Sequence, residues 1–154
     1  MYLNKELKQY YLEDFQLVLK ESMEFWDLDS IILRDALLKI NKNSEVQTLY
    51  SKHDVKTESY LFLAFSKKVE PSLFRYALPF ILDQFNARGV FCFYEYLSPR
   101  ENMNLTVPNN ANQGAVNNTE YFQVDHIKIG LESNSEQEHE RFWALLSQSL
   151  SSLK

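Results

Sequence analysis

An aspartate beside a histidine, Asp125-His126, offers the side chains that acid–base chemistry needs: a carboxylate, and an imidazole able to carry a proton near neutral pH. With Glu95 as a third group in a cleft, the pair would suit a small hydrolase or transferase. The order of residues works against this. Neighbours on a strand point to opposite faces, so Asp125 and His126 would cooperate only at a β-bulge. His53 and His139 fall on a turn and on a helix, with no ligand spacing around them. A structural or catalytic zinc wants three or four convergent donors, so no metal site is expected. Cys92 could serve as a nucleophile only beside a base in an electropositive niche, and within "VFCFY" it reads as a core thiol. Gly89, Gly114 and Gly130 lie too far apart to build a phosphate-cradling loop, so no nucleotide or other cofactor is expected.

The residues better suited to work are those suited to contact. In "FYEYLSPRE", Tyr94 and Tyr96 share one strand face and Glu95 the other, and Pro99, Arg100 and Glu101 follow in a turn. Tyrosine and arginine with charged neighbours form the mixture that protein interfaces favour. Aromatic rows on a sheet also stack single-stranded nucleic acid, but that use needs a basic groove, which is missing. Downstream, Pro108–Thr119 is a neutral, asparagine-rich loop much longer than hairpin loops usually are, and such loops are functional or disordered. The expected partner-binding set is Tyr94, Glu95, Tyr96, Arg100 and Glu101, with Asn109, Asn110 and Asn112 of the loop and the acidic Glu120 and Asp125.

The composition narrows the class further. Nine tyrosines, eleven phenylalanines and two tryptophans among 154 residues give one domain, residues 1–154, a substantial core without disulfides. The single cysteine fits a reducing compartment, and the charged start "MYLNKELKQYYLEDF" has no apolar segment of a signal peptide, so a cytoplasmic location is expected. No apolar run reaches the ~20 residues of a membrane helix, so no membrane partner is expected. With 16 basic against 21 acidic residues the net charge is −5, which argues against duplex nucleic acid and is compatible with a basic protein partner.

The elements that must carry these residues follow from periodicity. Residues 3–24 read as an amphipathic helix with Leu3, Leu7, Tyr10, Tyr11 and Phe15 inward and Lys5, Lys8 and Glu13 outward. A second helix begins near Asp27 or Asp29 and ends at Asn41-Lys42-Asn43. Strands are expected at 46–51 and 59–66, the latter apolar on both faces. A helix opened by Pro71 follows, bent or broken at Pro79 and closed by Gly89. Further strands are expected at 89–97 and 102–107, and at 120–132 with a bulge at Asp125-His126 that brings its two apolar phases onto one face. A final helix is capped by Ser135 and Glu138, with Phe142, Trp143, Leu146, Leu150 and Leu153 inward. The expected fold is α+β, an antiparallel sheet of about five strands packed against helices in the order α-α-β-β-α-β-β-β-α.

The expected function is that of a small intracellular protein-binding domain, an inhibitor or toxin-neutralising immunity-type protein that masks a basic toxin or a secreted protein. The other readings are the hydrolase or transferase above and a chaperone for a secreted protein.

Overall fold

A computed structural model describes residues 1–22, 28–97, 104–106, 119–121 and 124–154. Helix α1 (Lys5–Ser22) starts where the Asn4 side chain accepts the Leu7 amide at 2.8 Å, satisfying one of the donors a helix start leaves open. Leu3 and Tyr11 are buried as expected, whereas Tyr10 is half exposed. The expected outward position of Lys8 is overturned. Its ammonium is buried and donates to the carbonyls of Asn41 at 2.9 Å and Val46 at 2.7 Å. It thereby closes the negative C-terminal end of α2 (Leu28–Asn41). The residues expected to cap the start of α2 are outside the described region or lack a described side chain.

After α2, two asparagines act as clamps. The Asn41 amide donates to Thr48 Oγ1 at 2.7 Å and its oxygen accepts the Thr48 amide at 2.9 Å. Asn43 Nδ2 donates to the carbonyls of Leu150 and Leu153, both at 2.9 Å, fixing the end of the last helix. Strands β1 (Val46–Lys52) and β2 (Glu58–Phe65) then pair antiparallel, with a register shift between Thr48 and Tyr50. Short helix α3 (Glu70–Ser72) opens with Pro71 and runs into a π-helical turn, Leu73–Ala77. There the Leu78 amide donates to the Leu73 carbonyl five residues back. Pro79 has no amide hydrogen, and the widened turn precedes it as the stretch enters α4 (Leu78–Asn86). Gly89, at φ 78°, ends that helix in a Schellman motif, with the Val90 amide on the Phe85 carbonyl and the Gly89 amide on Asn86, each at 3.0 Å.

Strand β3 (Phe91–Leu97) is followed by a ribbon of β4 (Asn104–Thr106) and β5 (Thr119–Tyr121), then by β6 (His126–Glu132) and α5 (Glu136–Ser151). The main sheet has four antiparallel strands in the order β1-β2-β6-β3, and β4–β5 is a separate two-stranded sheet. The expected five-stranded sheet is corrected in that detail, and α+β holds. The expected strand 120–132 is two strands, because the Asp125 amide leaves the ladder for the Met1 carbonyl at 2.8 Å. The N-terminal residues occupy that position, with the Leu3 amide on the Phe65 carbonyl at 2.9 Å and the Met1 ammonium 2.7 Å from the Asp125 carboxylate. Of the expected apolar phases, Ile127, Ile129 and Leu131 belong to β6, Val124 precedes it, and Phe122 lies outside the described residues.

One face of the sheet carries the large core, in which Leu61, Leu63, Phe65, Ile127, Ile129 and Leu131 meet α2, α4 and α5. The reverse face carries Phe62, Ala64 and Val124 under Leu3, Leu7 and Tyr11. Farther across it, Lys128 lies over the rings of Tyr60 and Phe93 and pairs with Glu58 at 3.1 Å. Phe93 in turn covers Gly130, where an added Cβ would collide with the ring.

A candidate partner-binding side

Among the described residues eight large apolar side chains are exposed, and five of them, Tyr76, Phe80, Phe91, Tyr94 and Tyr96, sit on α4, its preceding π-turn and β3. The helical stretch explains two of them. The stripe Leu73, Ala77, Leu78, Ile81 and Phe85 turns into the core, which leaves Tyr76 and Phe80, one turn apart, on the outer side at 72% and 50% exposure. They border an open cleft of about 550 Å³ shared with Arg75, Ser149, Leu153 and Lys154. Phe74 leans the other way, its ring 6.0 Å from those of both Tyr94 and Tyr96.

Strand β3 splits the expected residues between two faces, as the alternation implies. Tyr94 and Tyr96 lie on the helix-covered face at its margin, with Tyr96 also 6.2 Å from Phe65, and Glu95 lies on the reverse face opposite Lys128. Asp125 joins the tyrosines. Burial raises the Tyr96 hydroxyl above its usual range, and the charges of Asp125 and Glu70 with a hydrogen bond to Asp125 raise it further. Tyr2 stands beside them, its phenol pushed up to about 12 chiefly by a hydrogen bond to Glu70. Tyr2, Tyr96, Glu70 and Asp125 thus act on one another, while Phe74 lies against Tyr94 and Tyr96. Glu120 is on β5 opposite Leu105. Arg100, Glu101, Asn109, Asn110 and Asn112, with most of the expected loop, lie outside the described residues.

The acid–base pair is not assembled in one cleft. Asp125 faces the N-terminal ammonium and Tyr96, while His126 is buried on the reverse face, its Nδ1 2.9 Å from the Val124 carbonyl and its ring 5.9 Å from Phe62. Cys92 is buried, and desolvation pushes its thiol up to about 12, so it is a core residue with no thiolate to offer. Among the described residues no group of His, Cys, Asp or Glu could hold a metal ion.

One polar cluster escaped the sequence. His139 Nδ1 lies 2.6 Å from Ser59 Oγ and its Nε2 lies 2.7 Å from the Ser133 carbonyl. A carbonyl can only accept, so Nε2 carries the proton and Nδ1 accepts from the serine hydroxyl. Trp143 Nε1 donates to His53 Nδ1 at 2.9 Å, which makes that nitrogen an acceptor as well. A serine, a histidine base and an orienting carbonyl have the pattern of a nucleophile, but Ser59 and His139 are both 0% exposed. With no opening to substrate, they lock β2 to α5. Residues 80 apart in the chain meet here, and no local spacing announces it.

No protein-family model, curated protein or solved structure matches this chain. Among the described residues no helix is long and apolar enough to cross a membrane.

Proposed function

We propose that this chain is a protein-binding domain that masks a partner, in the manner of an inhibitor or toxin-neutralising immunity protein. The observation that carries the reading is that five of the eight exposed large apolar side chains among the described residues are aromatic residues of the π-turn, α4 and β3. Single exposed apolar residues are ordinary, but tyrosines and phenylalanines exposed on neighbouring elements are the composition from which interface anchors are drawn. The acidic balance of the chain, with Glu70, Glu95 and Asp125 around this side, suits a basic partner and would speed its approach. A free buried thiol at Cys92 supports work in a reducing, cytoplasmic setting.

Co-purification from the native host followed by titration calorimetry tests the proposal. A stoichiometric protein partner is expected. Phe80→Ser and Tyr76→Ser, each on the outer side of the helical stretch, should weaken binding by about 30-fold if they are anchors. A chain that runs alone, or one whose partner ignores both substitutions, would count against the reading.

A further inference from the structure

The two edges of the main sheet are finished differently. At β1 the register shifts between Thr48 and Tyr50, Lys52 ends the strand, and α1 lies alongside with Lys8 donating to the Val46 carbonyl. Shifts, terminal lysines and covering helices are the ways in which an edge is kept from pairing with another chain. Among the described residues strand β3 has no shift and no lysine, and α4 reaches its outer edge only through Asn86. Its register with β6 is unbroken from Phe91 to Leu97, and it has neither proline nor lysine.

The edge is closed at one point. Asn86 Oδ1 accepts the Cys92 amide and Asn86 Nδ2 donates to the Cys92 carbonyl, each at 3.0 Å. The side-chain amide pairs with Cys92 as a neighbouring strand would. Both backbone groups of Cys92 therefore point away from β6, and by the two-residue repeat those of Tyr94 and Tyr96 do the same. Among the described residues nothing pairs with these four groups. Asn86 blocks the edge on one side of them, so the free stretch is short and has a defined start.

We infer that the outer edge of β3 takes up an extended segment of a protein partner as an added strand, with a lysine or arginine opposite Glu95. This rests on the masking reading and names how the partner is held. The charge follows from Glu95, which makes no ion pair with a described residue because its cross-strand neighbour Lys128 is turned to Glu58 at 3.1 Å. On the other face of the same stretch Tyr96 sits beside Asp125, with Glu70 near enough to act on its hydroxyl. A second copy of this chain is a poor occupant. Antiparallel pairing over the free stretch sets Tyr94 against the partner's Tyr96, and it brings Glu95 against its own equivalent, where like charges repel. A basic segment meets no such conflict, and main-chain bonds would hold it while alternate side chains set its identity.

Amide hydrogen exchange by nuclear magnetic resonance on the full chain tests this, with two blocked nonapeptides as probes, one alternating valine with lysine and one alternating valine with glutamate. In the free protein Tyr94 and Tyr96 amides should exchange at least tenfold faster than those of Phe93 and Glu95, which face β6. The lysine peptide should slow Tyr94 and Tyr96 at least tenfold and bind at least tenfold more tightly than the glutamate peptide. Glu95→Lys should reverse that preference. Slow exchange at both tyrosines before any addition, or no slowing with the lysine peptide, would overturn the inference. A co-purified partner that binds while both amides keep their free rates would overturn strand addition and leave masking intact. Slowing by the peptide in a chain with no co-purifying protein would uphold the edge and sink masking.

Discussion

Lys8 shows how one side chain can be placed by periodicity on the wrong side of a helix. Its stem and ammonium are drawn inward because α2 and β1 leave two carbonyls for it, and burial lowers it from the usual 10.5 to about 8. Between those values the unfolded chain holds the proton more firmly than the folded one, so stability rises with pH across that window. Cys92 acts in the opposite sense from pH 9 upward, because its protonated form is favoured in the fold up to about 12. The interval from pH 8 to 9 therefore isolates the lysine. Urea unfolding should show stability rising there by on the order of 1 kcal/mol, and Lys8→Met should remove the rise. Cys92 gives a second expectation. A thiol reagent should modify it at the rate of unfolding and no faster, and rapid labelling of the native protein would contradict its placement in the core. Ser59→Ala should lower stability by about 1–3 kcal/mol by leaving the buried His139 Nδ1 without its donor. It should leave partner binding unchanged, which calorimetry can check.

Secondary structure was largely legible where pattern and terminus agreed. Pro71 at a helix start, Gly89 in a left-handed helix end, the break before Pro79 and the inward stripe of α5 all rest on local rules. The failures have non-local causes. Ser135 and Glu138 have the spacing of a capping box, yet Ser135 makes no side-chain cap and Glu138 is held by Arg88 at 2.6 and 2.9 Å. The Glu138 carboxyl is held below its usual range chiefly by that guanidinium. An arginine 50 residues away in sequence outcompeted a neighbouring amide. The split between β5 and β6 was hidden for a similar reason, since the competitor for Asp125 is the start of the chain. Gly130 marks an element-level dependence that can be measured. Gly130→Val should push the Phe93 ring off the sheet and destabilise the fold by about 1–3 kcal/mol, read by thermal unfolding. Gly130→Val combined with Phe93→Ala should cost less than the two changes added together.

Across the molecule, the helices crowd one sheet face, α1 shields part of the other and one edge, and the α4–β3 side keeps the aromatic residues outside. Tyr94, Tyr96 and Asp125 were named from composition, and of these Tyr96 and Asp125 meet in a hydrogen bond. Tyr76 and Phe80 were not, although their position off the apolar stripe was open to inspection, because an exposed aromatic becomes informative only when its neighbours in space are known. Glu95 is on the opposite face, as the strand alternation implies, which matters only if a partner wraps the edge. The most direct measurement is hydrogen exchange over the whole chain, free and in complex with the co-purified protein. Slowing should concentrate at residues 74–80 and 91–97, with α1 and α2 unaffected. Slowing confined to the outer faces of α1 and α2, with α4 and β3 exchanging as in the free chain, would contradict the assignment of this side as the masked surface.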